Sequence, residues 1–372
     1  MGSGPSKVVS GFNTIPVSIG PGAVCDNPGG AYPNEPCVTV EICVPGTSQC
    51  QTVSDILLDT GSVGLRLFSQ ATTLTLPNET TSGLKIGECA YFGSATTWGS
   101  VNMADVILGS EAKITIPIQI IDPIFEGQYN STGQATATNP ACGSGTVSYS
   151  PQSSEYNGIL GIGLFLTDGQ SYFSCTGNVC TTASINKTQE VSNPVANLSQ
   201  DNNGLLLELP SVGASGNNSA TGTLILGVDT ESNNSSTGLE SFTTNSSGDV
   251  NGTFNGGNTT DFFDSGSNGL FFEDSSIKNC QGGYSSWYCP SSTINLYPVI
   301  TGDNGNTKTI SFSVENAMNL FSTSDSAFND LAGSGFSSKV DIGIPYFYGK
   351  TIGLVFNTKS STFGLGPMFL SN

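Results

Sequence analysis

Short apolar stretches separated by turn residues dominate the pattern of hydrophobic and polar positions along this chain. Residues 38–43 alternate between apolar and polar side chains, as expected for a strand with one buried face. The β pattern continues at 106–108, 114–121 and 205–209, with Gly, Ser, Thr and Asn in the intervals. We expect one short helix at 192–198. The pattern predicts an all-β fold.

Two of the apolar stretches end in the same phrase. Residues 57–65 read Leu-Leu-Asp-Thr-Gly-Ser-Val-Gly-Leu, and residues 262–270 read Phe-Phe-Asp-Ser-Gly-Ser-Asn-Gly-Leu. A carboxylate at the end of an apolar strand, followed by a hydroxyl residue and Gly, suits a tight turn that presents the acid. The two acids, Asp59 and Asp264, are separated by the length of one lobe of a two-lobed protein. Two unrelated surface turns are the alternative, and the apolar flanks argue against it.

Two facing acid turns would bring general acid and general base together. Like charges within hydrogen-bond reach cannot both be ionised, so the pair would hold one shared proton. One carboxylate can then polarise a water that attacks a peptide carbonyl, while its protonated partner donates to the carbonyl oxygen. This chemistry needs neither a metal nor a covalent intermediate. The sequence therefore indicates Asp59 and Asp264 as a catalytic pair and predicts no metal and no cofactor.

The chain resembles the pepsin-like aspartic peptidases, and the resemblance extends beyond the two acid loops. Segment 157–163 is similar to the strand that passes beside the first acid loop in that family, and 341–347 to its counterpart in the second lobe. Segments 351–357 and 361–366 resemble the closing strands, and 223–229 resembles the strand that opens the second lobe. The resemblance implies a bilobal fold of two related barrel-like lobes with the active cleft between them.

The resemblance also implies roles for the residues around the two acids. The hydroxyl residue after each acid would stiffen its loop, and the glycine would give the turn conformational freedom. The serine three positions after each acid would hydrogen-bond the outer carboxylate oxygen and fix its orientation. These supporting residues are Thr60, Gly61, Ser62, Ser265, Gly266 and Ser267.

In well-characterised members of that family a Tyr on a hairpin flap covers the cleft. Tyr91 is the first candidate for this flap residue, with Phe92 and Trp98 as rivals, because a shift of one residue turns a strand side chain to the opposite face. Aromatic core packing is the alternative for each of them. The predicted hairpin at 43–50 is unlike the digestive enzymes and resembles a poorly characterised bacterial group of the family.

Charge and composition narrow the chemistry further. The 372 residues include 10 Lys+Arg and 29 Asp+Glu, a net charge of −19, which disfavours nucleic acid as a partner. Histidine is absent. Ser-His-Asp and Cys-His catalysis and zinc sites using His are therefore excluded. An Asp pair is the simplest remaining route to general acid-base chemistry near or below neutral pH.

Ten cysteines predict a disulfide-bonded protein. Four disulfide pairs follow from short spacing in the sequence, and the fifth follows by elimination. The alternative, a metal cluster, requires Cys-x-x-Cys units, which the sequence lacks. Disulfides indicate an oxidising compartment, so we expect a secreted, periplasmic or cell-surface location. The predicted pairs are Cys25–Cys37, Cys43–Cys50, Cys89–Cys142, Cys175–Cys180 and Cys280–Cys289.

Domain organisation follows from the repeat. Residues 1–36 are predicted as an N-terminal loop segment that begins with five residues resembling a cloning-tag remnant. Residues 37–210 would form the N-terminal lobe, which carries Asp59, and residues 211–372 the C-terminal lobe, which carries Asp264. No uninterrupted apolar run reaches membrane-spanning length.

The sequence thus predicts an exported, bacterial aspartic endopeptidase. We expect a monomer that takes an extended peptide or unfolded protein between its lobes, paired by its backbone to strand edges. Because a fold does not establish a function, the alternative is a catalytically weak or inactive pepsin-fold protein that binds peptides or proteins, or a surface adhesion module.

Overall fold

The computed structural model of this protein describes residues 11–22, 24–25 and 32–372. Strands account for 43% of it and helices for 8%, which confirms the all-β prediction. Within the described residues, no helix has the length and apolar character needed to cross a membrane. The predicted tag remnant at residues 1–5 lies outside the described residues.

The strands alternate with turns along both halves of the chain. Those of the first half are β1 (Thr14–Ile19), β2 (Pro36–Cys43), β3 (Cys50–Asp59), β4 (Val63–Phe68), β5 (Thr80–Thr81), β6 (Leu84–Tyr91), β7 (Thr96–Ile107), β8 (Ile114–Ile121), β9 (Gly158–Ile162), β10 (Ser171–Thr176), β11 (Val179–Thr182) and β12 (Gly204–Glu208). Those of the second half are β13 (Ala220–Leu226), β14 (Glu240–Thr243), β15 (Val250–Phe254), β16 (Gly257–Asp264), β17 (Leu270–Phe271), β18 (Ile294–Leu296), β19 (Val299–Thr301), β20 (Thr307–Thr309), β21 (Phe312–Val314), β22 (Ala332–Gly333), β23 (Lys339–Gly343), β24 (Thr351–Val355), β25 (Ser360–Ser361), β26 (Gly364–Leu365) and β27 (Met368–Ser371).

Helices are short. Within residues 11–22, 24–25 and 32–372, the two α-helices are α1 (Pro151–Ser154) and α2 (Ala317–Phe321). The predicted helix at 192–198 is a single 3-10 turn, Val195–Asn197. The remaining 3-10 turns are Ser69–Ala71, Phe125–Gly127, Lys187–Gln189, Gly282–Tyr284 and Ile344–Tyr346.

Six strands of the first lobe close into a barrel. Their order is β2, β3, β9, β4, β8 and β7, and β7 pairs back onto β2. Strands β3 and β9 run parallel, and this register places Asp59 beside Gly161. The residues leading to the acid, Ile56 to Leu58, are buried, as expected for a strand covered on both faces. Asp59 therefore lies at the end of the barrel, as the last residue of a buried apolar strand segment.

The second lobe repeats this arrangement around Asp264. Strand β16 runs parallel to β23, which places Asp264 beside Gly343. Strand β17 is antiparallel to β23 and parallel to β22, just as β4 is antiparallel to β9 and parallel to β8. The two lobes are related structures, and the predicted bilobal architecture is confirmed.

A sheet with the order β1, β13, β12, β24, β27 and β14 connects the lobes. The assignment of residues up to 36 to a loop is wrong for Thr14–Ile19, which pairs along its whole length with β13. Ile15, Val17 and Ile19 alternate and are buried, but Gly and Pro around them obscured this pattern in the sequence. Strand β12, placed in the N-terminal lobe by the sequence, pairs here with β13 and β24. The lobe boundary near 210 remains a prediction.

Five disulfides hold loops and strand ends together. They are Cys25–Cys37, Cys43–Cys50, Cys89–Cys142, Cys175–Cys180 and Cys280–Cys289, the same pairs that the sequence suggested. Cys89–Cys142 spans 53 positions and ties strand β6 to the long loop before α1. A crosslink across so long a loop restricts the unfolded chain more than the local ones do.

Candidate active site

The turn of each acid loop lies against the acid of the other loop. A Cβ atom placed on Gly61 would lie 2.5 Å from Cγ of Asp264, and one on Gly266 would lie 2.8 Å from Cγ of Asp59. Real Cβ atoms essentially never approach a heavy atom within 3.0 Å, so glycine is needed at both positions for steric reasons. The two carboxyl groups therefore face each other where the lobes meet.

The residues after the two acids interlock the loops. The Thr60 backbone N–H donates to Oγ of Ser265 (3.1 Å), and the Ser265 backbone N–H donates to Oγ1 of Thr60 (2.8 Å). Each hydroxyl in turn donates across the interface, Thr60 to the Phe263 carbonyl (3.0 Å) and Ser265 to the Leu58 carbonyl (2.7 Å). Both side chains are buried, so these bonds satisfy groups that water does not reach. The relative position of the two acids is fixed by this network.

Three hydrogen bonds hold the Asp59 carboxylate. Its Oδ1 accepts from the backbone N–H groups of Gly61 (2.8 Å) and Ser62 (3.1 Å). Its Oδ2 accepts from the Ser62 hydroxyl at 2.5 Å. Donors aimed at a carboxylate stabilise its ionised form.

The Asp264 carboxyl receives fewer donors and lies beside two other acids. Oδ1 accepts from the Gly266 N–H (2.8 Å) and Oδ2 from the Ser267 hydroxyl (2.9 Å), while the Ser267 N–H bonds the Asp264 backbone carbonyl instead. Burial raises the pKa of Asp264 well above its ordinary value, and the neighbouring acids Asp59 and Asp341 raise it further. A proton shared by the pair is thus favoured on Asp264.

The three aromatic flap candidates lie in different surroundings on the β6–β7 hairpin. Trp98 is fully buried and its indole N–H donates to the Phe125 carbonyl (3.1 Å), as a core residue does. Tyr91 is 51% exposed at the end of β6. Phe92, the next residue, lies with its ring centre 5.6 Å from the guanidinium carbon of Arg66, within cation–π range.

Arg66, which the sequence pattern did not single out, is a buried cation that contacts Phe92 of the β6–β7 hairpin. It is 1% exposed, and its Nη2 donates to Glu88 (2.7 Å) and to Asp168 (2.5 Å), while Nη1 donates to the Val63 carbonyl (2.6 Å). Its position on β4, the strand that leaves the first acid loop, carries the guanidinium to the base of the flap hairpin. The available signal was a single charged residue within the otherwise apolar strand Val63–Phe68.

The tip of the flap hairpin reaches the second lobe. A Cβ atom on Gly93 would lie 3.7 Å from Cζ of Phe336, an ordinary van der Waals contact. Phe336 is 42% exposed and packs edge-on against Phe262 at 5.8 Å between ring centres. The hairpin therefore bridges the space between the lobes.

The described residues include two clusters of potential metal ligands. One contains Cys25 and Cys37, and the other contains Cys43 and Cys50. Each cysteine pair is a disulfide, so these sulfur atoms are not thiolate ligands.

The fold is that of the pepsin-like aspartic proteinases. The crystal structure of aspartic proteinase from Irpex lacteus matches the chain with a TM-score of 0.52 and 15% sequence identity, covering 96% of this chain and 96% of that one. Residues 10–370 match the family described as "Protein of unknown function (DUF3443)", and the chain belongs to that family. A search of curated proteins found no match.

Proposed function

We propose that this protein is an exported aspartic endopeptidase. The observation that carries the proposal is the pair of carboxyl groups, Asp59 and Asp264, that face each other across two interlocked loops. Their hydrogen bonds and charges differ in the sense that general acid-base catalysis requires, with one group favoured as ionised and the other as protonated.

In the proposed mechanism Asp59 is the base and Asp264 the acid. Asp59 takes a proton from a water molecule that attacks the scissile carbonyl carbon, and the Asp264 proton hydrogen-bonds the carbonyl oxygen as it gains negative charge. Asp59 then passes its proton to the leaving nitrogen, and the C–N bond breaks. The titration belongs to the pair, so the pH dependence of cleavage reports both groups together.

We assign Phe92 as the flap residue that covers the cleft. Side chains alternate along a strand, so Phe92 shares a face with Glu88, which contacts Arg66. Tyr91 then belongs to the opposite face. The cation–π contact with Arg66 supports a flap whose aromatic residue is held over the strand leaving the first acid loop. An extended peptide would lie beneath it, between the lobes.

Cellular location and partners follow from the same features. Five disulfides support export to an oxidising compartment, in the periplasm, at the cell surface or in the medium. The net charge of −19 supports a peptide rather than a nucleic acid as partner. The monomeric state and the bacterial source remain predictions.

The test is to incubate the protein with a mixed library of unstructured peptides from about pH 3 to about pH 7 and to identify the cleavage products by mass spectrometry. We expect the wild type to cleave, and Asp59→Asn to lower the rate by about a thousandfold or more, because it removes the general base. Thermal unfolding of both proteins establishes that the variant is folded. A folded wild type that cleaves nothing at any pH would contradict the proposal and favour a peptide-binding protein on this fold.

A further inference from the structure

The second lobe carries a buried carboxyl group where the first lobe has an apolar side chain. Ile159 lies two positions before Gly161, the glycine that pairs with Asp59. In the parallel register of the second lobe the same place is taken by Asp341, two positions before Gly343. Asp341 is 2% exposed. A buried carboxyl at a repeat position that otherwise suits Ile requires a physical reason.

Ser267 connects this carboxyl to the acid pair. Its Oγ lies 2.6 Å from Oδ2 of Asp341 and 2.9 Å from Oδ2 of Asp264. A hydroxyl has one proton to donate, so one of the two carboxyl groups must supply the proton of the other bond. Oδ1 of Asp341 has no hydrogen-bond partner among the described residues. Such an orphaned oxygen is far less costly on a neutral acid than on a carboxylate.

The electrostatic surroundings favour the neutral form of Asp341. Burial raises its pKa, the Ser267 hydrogen bond lowers it, the charge of Asp59 raises it and Lys339 lowers it, and the net result is a pKa of about 8. On the adjacent strand β17 its neighbour in register is the uncharged Phe271. The titratable groups that the structure places around Asp341 are Asp59 and Asp264 in the acid loops, Lys339 on its own strand, and Asp261 on β16 beside the preceding residue.

We propose that Asp341 is a positioning residue of the acid site, which stays protonated during catalysis, donates to Oγ of Ser267 and so commits the Ser267 proton to Asp264. The proposal rests on the proposed peptidase function. When Asp341 ionises, the Ser267 hydroxyl turns to it, because the contact is shorter and the acceptor is charged. Apart from Asp59, Ser267 is the only side chain among the described residues that donates to Asp264. Without this bond the orientation of the Asp264 carboxyl is no longer fixed.

Two substitutions separate this role from simple packing. Asp341→Asn keeps an N–H donor for Ser267 and cannot ionise, so kcat at about pH 4 should stay within about threefold of wild type. Asp341→Ala removes the donor, and we expect kcat to fall about tenfold with little change in KM, since the lost hydrogen bond orients a catalytic group. Equal losses of kcat in the two variants would overturn the proposal.

Asp330→Asn is the matched control for these kinetics. Asp330 is also a buried aspartate of the second lobe, but its charged neighbour is Glu315 and not the acid pair. Its substitution should leave kcat unchanged. A loss of kcat equal to that of Asp341→Ala would show that any buried aspartate of the lobe has this effect, and would contradict the specific role of Asp341.

A second measurement does not depend on peptide cleavage. In protein labelled at the aspartate carboxyl carbons, NMR should show Asp341 among the buried acids that are still protonated at about pH 6, where an ordinary aspartate is ionised, and Asp341→Asn should remove one of these signals and so assign it. Asp341→Ala should also shift the Asp264 signal. An ionised Asp341 at that pH would overturn the proposal. If both signals behave as expected but the wild type cleaves no peptide, the peptidase function fails while the arrangement of the three carboxyl groups stands.

Discussion

The two acid loops have the same sequence pattern and the same hydrogen-bonded interlock, yet they hold their carboxyl groups differently. Asp59 accepts three donors from its own loop, and Ser62 serves it alone. Asp264 shares its serine, Ser267, with the buried Asp341. The interlock is symmetric because it fixes geometry, and the asymmetric surroundings are what the proposed mechanism requires, in which one acid holds a proton while the other does not.

A second difference lies on the strand that leaves each loop. Seven positions after Asp59 is Arg66, which is buried with Glu88 and contacts the flap. Seven positions after Asp264 is Phe271, which packs on Trp287 at 5.4 Å between ring centres. Only the first-lobe position carries a charge, and its guanidinium contacts Phe92 of the β6–β7 hairpin. The equivalent positions on β4 and β17 thus contact different partners in the two lobes.

Replacement of Arg66 should have the largest effect on stability. Arg66→Met leaves Glu88 and Asp168 buried without their cation, and we expect the free energy of unfolding to fall by about 3–5 kcal/mol. Urea unfolding at neutral pH measures it. Arg66→Lys keeps the charge without the planar fork and should cost less. A loss below about 1 kcal/mol in the Met variant would mean that the two acids are readily protonated or hydrated instead.

The interlock predicts equal losses from the two loops. Ser265→Ala leaves the Thr60 N–H and the Leu58 carbonyl without partners, and Thr60→Val does the same to the Ser265 N–H and the Phe263 carbonyl. Each variant should lose about 2–4 kcal/mol, because each leaves two buried polar groups unsatisfied.

Chemical denaturation of both variants compares the two losses, and Thr60→Ser, which keeps the hydroxyl, is the control. If one variant lost stability and the other did not, the interlock would be a property of one loop only.

A third comparison concerns the carboxyl groups behind each loop. Glu35 is fully buried near Asp55, which lies on the strand that leads to Asp59, much as Asp341 lies behind Asp264. Burial, together with the charges of Asp55 and Glu155, raises the pKa of Glu35 to about 9. Between its ordinary pKa and about 9, the folded protein holds a proton that the unfolded chain has released.

Stability should therefore fall as pH rises through this window, by at most about 1.4 kcal/mol per pH unit from this group. Glu35→Gln should remove that part of the slope, as measured by denaturant unfolding at about pH 5, 6 and 7. The exposed Glu231→Gln is the control and should leave the slope as it is. An unchanged slope in Glu35→Gln would show that Glu35 is ionised in the folded protein.

Local features of the chain were sufficient to predict much of this molecule. The two Asp-Thr/Ser-Gly-Ser phrases indicated the acid loops, because a turn after an apolar strand depends on neighbouring residues only. Alternating apolar positions indicated an all-β protein for the same reason. Short cysteine spacings suggested the local disulfides. Each of these inferences uses contacts between residues that are close in sequence.

The remaining features depended on contacts between distant segments. Strand β1 was missed because its partner, β13, lies about two hundred positions away. Arg66 and Asp341 became part of the site only when β6 and the second acid loop packed against their strands. The cost of a buried charge depends on what surrounds it, and those surroundings are assembled by the fold. The sequence thus determined the two acids and their turns, and the tertiary structure decided which donors and buried charges surround each acid and the β6–β7 hairpin.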